Sequence, residues 1–336
     1  MLYDSKNIFL RSPFRVSFIG GGSDLESYYT QGKEGHVIST TIELFSYINI
    51  KDMFDSNIRV HHSEIETESI ASRIKHQYAR IALENFGLFR GVEVIITSDI
   101  MATGSGLGAS SSIMSGLIVG CNEFRGNPRL SSKELAELIY KLELQSGTLT
   151  GKQDQYAVAF GGLNSFTFNT EGVITKPIKL SKSKREELES RCILIFTNLA
   201  RESKTIQLNL MDNTTSNDKK SYLDKLVDLS YEFRNELLSE NTNFDYIGKI
   251  LHEAWKLKKM SNQMVTNVYI DQLYENLRKK GIIGGKILGA GGGGFLLGFT
   301  KDKKIKDKIK YDLYPNFISI DFKIHNKGTE ILWKNF

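Results

Sequence analysis

Alternating apolar and polar positions, rich in β-branched and aromatic residues, run through Phe9–Gly20 and His36–Lys51 and predict two strands. Gly91–Thr97 (GVEVIIT) is a further extended run. Helical spacing marks Ser69–Phe86, with Ile74, Tyr78, Ile81 and Leu83 near one side, and Ala109–Phe124, through Ile113, Leu117, Cys121 and Phe124. Ser131 and Glu134 form an S-x-x-E capping box ahead of a helix whose stripe is Leu135, Leu138, Ile139 and Leu142. Leu163–Phe168 and Val173–Pro177 predict a hairpin. A charged helix near Lys182–Ser190 precedes a buried-type strand at Ile193–Thr197.

The second half is richer in helix, at Ser221–Leu238, Phe244–Met260 and Tyr269–Lys280. Gly285–Thr300 predicts two apolar strands hinged on glycines, and Ile318–Ile324 a late strand. Lys301–Lys310, with Ile305 and Ile309 four apart, reads as an exposed helix with a thin apolar stripe. Asn213–Lys220 reads as a flexible loop. The order is mixed α+β in two lobes, expected at residues 1–185 and 186–336.

Composition changes this picture little. A chain of 336 residues with 40% hydrophobic and 25% charged content supports a sizeable core. The surplus of 44 Lys plus Arg over 39 Asp plus Glu is mild and spread out, without interleaved aromatics, which argues against nucleic acid. No apolar run approaches the ~20 residues of a membrane span, and the N-terminus lacks a signal-peptide layout. A cytoplasmic protein is expected. Cys121 and Cys192 read as reduced core residues, and no Cys/His cluster has zinc spacing. Adjacent His61 and His62 point opposite ways in a strand, which argues against a shared metal.

The chemistry concentrates in Thr103–Ser115 (TGSGLGASSSIMS), between an extended run and a helix. Such a loop turns backbone N–H groups inward around an anion, and the following helix directs its positive end at the same point. A nucleotide polyphosphate is the ligand this predicts. No position satisfies a Walker A pattern, and H-R-D and D-F-G are absent. Gly104, Gly106 and Ala109 fit G-x-G-x-x-A, and Gly289, Gly291 and Gly294 fit G-x-G-x-x-G. Context argues against a dinucleotide site. The chain stays helical after Ala109, and a strand rather than a helix follows Gly294.

Three segments together, Arg11–Asp24 (RSPFRVSFIGGGSD), Gly104–Ser112 (GSGLGASSS) and Leu288–Gly294 (LGAGGGG), resemble in order the three motifs of the GHMP kinases. These are the galactokinase, homoserine kinase, mevalonate kinase and phosphomevalonate kinase superfamily. The resemblance implies an α+β fold of two lobes, a ribosomal-protein-S-five-like N-terminal domain and a ferredoxin-like C-terminal domain, with the active site between them.

It also implies roles. Gly104, Ser105, Gly106, Leu107, Gly108, Ala109, Ser110, Ser111 and Ser112 wrap the phosphates of ATP. Ser110 and Glu143 hold Mg²⁺. Asp154, in GKQDQY, takes the proton from the acceptor hydroxyl, and Arg15 steadies its charge and the transferring phosphoryl group. Gly21, Gly22, Ser23 and Asp24 meet the sugar, while Gly292 and Gly293 give close backbone approach. Arg201, in NLARESKT beside Ser203 and Thr205, and Lys152 are candidates for a distal phosphate.

The run Gly20-Gly21-Gly22-Ser23-Asp24 departs from the galactokinase pattern and resembles that of the heptose 7-phosphate kinases, which act on the anomeric hydroxyl of a manno-configured heptose 7-phosphate. Fucokinase-type domains are the nearest competitor; a non-catalytic sugar- or nucleotide-binding regulator on the same fold is a further alternative. The expected partners are ATP and a small sugar phosphate, for a monomer or homodimer without nucleic acid or membrane.

Overall fold

The computed structural model describes all residues except 1–4, 102–103, 149, 200–216 and 262, and of 217–221, 261 and 263 the backbone alone. Two antiparallel hairpin partners found the first lobe. Strand β1 (Asn7–Ile19) pairs along its length with β2 (Gly35–Asp52). After helix α1 (Glu26–Tyr29), β2 is long enough to serve two neighbours. Its second half pairs β5 (Val92–Ser98) and its first half pairs β6 (Leu163–Asn169). Strands β3 (Ile58–His61), β4 (Ile65–Glu68) and β7 (Gly172–Pro177) extend the sheet, and β12 (Glu330–Asn335) closes its other edge against β1. The lobes therefore do not divide strictly by sequence, because the last strand returns to the first sheet.

Helix α2 (Gln77–Asn85) begins later than the expected Ser69. Glu66, on β4, accepts from the N–H groups of Lys75 and His76, and the His76 side chain then caps the helix. The next helices are α3 (Ala109–Phe124), α4 (Ser132–Gln145) and α5 (Gln153–Phe160). The Ser131–Glu134 capping box is present. Leu10, Ile48 and Ile50 of the sheet meet Ile113, Leu117 and Cys121 of α3 in one buried cluster. Cys121 and Cys192 are buried, unpaired thiols.

Helix α6 (Lys182–Arg191) leads into a second sheet, ordered β11-β8-β10-β9 in sequence numbering. Its strands are β8 (Cys192–Phe196), β9 (Ile282–Ile287), β10 (Phe295–Thr300) and β11 (Ser319–Asp321). Helices α7 (Asn217–Leu238), α8 (Phe244–Ser261), α9 (Val268–Lys279) and α10 (Lys303–Leu313) complete this lobe. Helix α7 starts inside the expected Asn213–Lys220 loop; residues 213–216 lie outside the described ones. Trp255, Ile270, Tyr274 and Leu277 pack on Ile282 and Ile287. Phe18 lies 5.4 Å from Phe233 and 5.6 Å from Phe322, ring centre to ring centre, so the lobes share buried aromatics. This is the expected α+β architecture. Among the described residues no helix is long and apolar enough to cross a membrane.

Candidate active site

Arg15 lies in β1 and is 4% exposed. Its backbone N–H donates to the Leu107 carbonyl at 2.9 Å, which joins the first motif to the glycine loop. Its guanidinium grips Asp154 with two parallel bonds, Nε to Oδ1 at 2.6 Å and Nη2 to Oδ2 at 2.5 Å. Nη1 donates to the Gly106 carbonyl at 2.7 Å. One planar fork thus fixes the carboxylate and the loop together, a geometry lysine cannot supply. Asp154 sits in the first turn of α5, where the helix dipole favours an acid.

Asp24 faces the same cavity and is 2% exposed. It accepts from the Gly22 N–H at 2.8 Å, the Gln153 N–H at 3.1 Å and the Gln153 side-chain amide at 3.2 Å. Burial raises its pKa, and those backbone bonds oppose the shift. Ser23 turns away from the cavity, its hydroxyl donating to the Gly20 carbonyl at 2.7 Å and accepting from the His36 N–H at 3.0 Å. It shapes the turn that presents Gly21, Gly22 and Asp24.

Gly104, Gly106 and Gly108 all have positive φ, and Gly108 precedes α3 without any side-chain cap. The first amides of α3 therefore have no side chain competing for them, as an anion site needs. Successive helical positions point about 100° apart, so the three serines do three jobs. The Ser110 hydroxyl lies near Tyr78 and Glu143. Ser111 Oγ donates to Glu143 Oε1 at 2.8 Å. Ser112 Oγ meets Ser46 Oγ at 2.7 Å and donates to the Ser12 carbonyl at 2.9 Å, anchoring α3 to the sheet.

Glu143 lies deeper than a cleft-edge position on α4 suggests, at 1% exposure. Ser111 and the Gln155 side-chain amide donate to it. Burial pushes its pKa up to about 7; those two donors oppose the shift, and the Asp154 charge adds to it.

The third glycine segment meets the loop through Phe295, whose N–H donates to the Ser105 carbonyl at 2.9 Å. Gly289 and Ala290 line the cavity. Gly292 instead donates to the Val265 carbonyl at 2.8 Å, and Gly293 packs on Leu199. Lys258 Nζ donates to the Ile287 and Gly289 carbonyls at 3.1 and 2.6 Å, bracing this turn. Lys152 does not line the cavity. Its ammonium lies 3.1 Å from Glu137 and over the Tyr140 ring. Arg201, with Ser203 and Thr205, lies outside the described residues.

Sequence reasoning missed several cavity residues: Ser17, Gln153, Tyr222, Leu226, Lys258 and Lys286. Gln153 stood beside Asp154 in GKQDQY and Lys286 just ahead of the third glycine segment, so adjacency to a motif was the available signal.

A cleft that joins a guanidinium-locked aspartate to an uncapped glycine loop matches one class of phosphotransferase. Residues 70–162 match the GHMP kinases N terminal domain and residues 235–317 the GHMP kinases C terminal domain. The chain belongs to the GHMP kinases and is a sugar kinase. It is 30% identical to the D-glycero-alpha-D-manno-heptose 7-phosphate kinase of Campylobacter jejuni subsp. jejuni, over 97% of this chain and 98% of that one. It is 26% identical to the bifunctional fucokinase/GDP-fucose pyrophosphorylase of Arabidopsis thaliana, covering 94% of this chain and 32% of that protein. A crystal structure of a D-glycero-D-manno-heptose 1-phosphate kinase from Bacteroides thetaiotaomicron superposes with a TM-score of 0.79 at 22% identity, over 99% of each chain.

Proposed function

We propose that the protein transfers the γ-phosphoryl group of ATP to the anomeric hydroxyl of D-glycero-D-manno-heptose 7-phosphate. The product, the 1,7-bisphosphate, serves nucleotide-activated heptose for surface polysaccharide, and the reaction takes place in the cytoplasm. The bidentate Arg15–Asp154 pair, tied to the Gly106 carbonyl and facing the same cavity as Asp24, carries this reading. The full-length likeness to the C. jejuni enzyme supports the substrate.

In this reading the α3 amides and the loop from Gly104 to Ser112 hold the ATP phosphates. Asp154 accepts the hydroxyl proton while Arg15 keeps its carboxylate oriented. Asp24, braced by Gly22 and Gln153, accepts hydrogen bonds from sugar hydroxyls. Phosphoryl transfer is loose and needs positioning and charge neutralisation above all. Glu143 fits a magnesium ion: it is a buried carboxylate with hydroxyl donors and no cationic partner among the described residues, a hard-oxygen set. Glu143 and Ser110 would hold Mg²⁺, with Ser111 beside them. Bound there, the ion would supply neutralisation of charge on the phosphate oxygens.

The test is ADP release by the purified chain with heptose 7-phosphate, fucose, galactose and mannose. We expect kcat/KM for heptose 7-phosphate to exceed the others at least about 100-fold, as a site built for a phosphate would give. A preference for fucose would replace this reading with a fucokinase.

A further inference from the structure

Lys286, on β9, is contributed by the second lobe to a cavity whose acids come from the first. It is 6% exposed and lines the cavity with Arg15, Asp24 and Asp154. Of the three cations that line that cavity among the described residues, Arg15 holds Asp154 and Gly106, and Lys258 holds the Ile287 and Gly289 carbonyls. The Lys286 ammonium has neither a hydrogen-bond nor an ion-pair partner among the described residues. A buried ammonium without a direct ion-pair partner is costly in an enzyme waiting for substrate, and an arriving oxyanion lowers that cost.

Among the described residues, Ser17 Oγ and Gln153 Oε1 are further cavity atoms that are buried and have no hydrogen-bond partner. These suit neutral sugar hydroxyls. The unmatched positive charge suits an anion.

From this arrangement we infer that Lys286 is a catalytic residue whose ammonium donates to the phosphoryl oxygens at the point of transfer. The inference rests on the kinase reading above. The acceptor hydroxyl must lie against Asp154, so the phosphoryl group arrives beside Asp154 as well. Lys286 lines the same cavity as Asp154, and the Arg15, Asp24 and Asp154 charges act on its ammonium. Burial and the Arg15 charge lower its pKa to about 7, and a nearby anion reverses that shift.

In the step itself, the acceptor oxygen forms its bond to the γ-phosphorus and its proton passes to Asp154. The bond from that phosphorus to the bridging oxygen breaks, and ADP leaves with the electron pair. Lys286 keeps its protons throughout and donates hydrogen bonds to the non-bridging oxygens. Because it arrives on β9, the two lobes must be packed together for the site to be complete.

The experiment compares wild type with Lys286→Met and Lys286→Gln, using the sugar that wild type phosphorylates best, so a wrong sugar assignment leaves the comparison intact. Both variants are expected to lose about 100-fold or more in kcat, typical of losing one preorganised transition-state donor. The sugar KM and the affinity for a fluorescent ATP analogue should stay within about threefold. Melting temperature at pH 6.5 should hold or rise, since a buried charge is gone. If at least one folded variant turns over at the wild-type rate, the inference is overturned. It is equally overturned if the loss falls on KM alone and only for phosphorylated sugars, which would make Lys286 a reader of the substrate's own phosphate.

Discussion

Gly108 and the Arg15 side chain compete for one volume: a Cβ on Gly108 would fall 2.8 Å from Arg15 Cγ and 3.1 Å from Nε. Gly108 also has φ of +69°, in the left-handed region. The glycine loop and the guanidinium that holds Asp154 are therefore shaped against each other. Gly108→Ala should cost about 1–2 kcal/mol for the backbone alone. It should also push Arg15 off Asp154 and lower kcat by at least about tenfold, since small misplacements cost much in transfer. Steady-state kinetics beside a denaturant melt checks both effects.

Asp154→Asn keeps the shape of the carboxylate but loses its charge, setting an amide donor against the Arg15 fork. Turnover should fall about 10²- to 10⁴-fold, the usual worth of a positioned base. Stability should drop by about 3 kcal/mol, because a nearly buried guanidinium is left without its counter-charge. Wild-type turnover in this variant would remove Asp154 from the mechanism.

The parts legible in the sequence are those written in local patterns. Helix α3 and the α4 capping box follow from spacing and caps. The Arg15–Asp154 partnership was expected from motif order, although the two residues sit in different elements. For Lys286 the sequence offered only its place next to the third glycine segment; the fold alone brings it into the cavity of Arg15 and Asp154. The edge strand β12 was missed because six residues without turn signals carry no pattern apart from their partner β1. The N-terminal half of Ser69–Phe86 holds only a 3-10 turn at Ala71–Arg73, and Glu66 takes the Lys75 and His76 donors just ahead of α2, a contact that periodicity does not encode.

Glu143 gives a pH signature whose sign follows from its raised pKa. Its ordinary value is 4.5 and the folded value about 7. The folded state therefore holds the proton more tightly than the unfolded chain between those limits. The associated stability is present at low pH and is lost as pH rises through about 7. Glu143→Gln removes this slope, and the ligand-free variant should be about 2–3 kcal/mol more stable than wild type at pH 8. Gln155 Oε1 has no partner among the described residues, so a flip of that amide can accept from the new side chain. Activity should fall by about 100-fold or more with the loss of the carboxylate. Melts from pH 5 to 8 without magnesium, paired with turnover in magnesium, test both halves.

Asp24 and Gly151 form a second tight pair in the cavity, on the side proposed for the sugar. A Cβ on Gly151 would stand 2.0 Å from Asp24 Oδ2, so Gly151→Ala must displace the carboxylate that Gly22 and Gln153 hold. Asp24→Asn disturbs the same place electrically, because an amide cannot accept from both backbone donors without turning its NH₂ against one. Each substitution should raise the sugar KM about 10- to 100-fold, the worth of a charged hydrogen bond lost from a buried site. Binding of an ATP analogue should stay unchanged, since the hydrogen bonds to Asp24 come from Gly22 and Gln153 rather than from Gly104 to Ser112. Titrating each ligand separately decides the point: a weakened ATP analogue with an intact sugar KM would place Asp24 in the nucleotide half of the cleft.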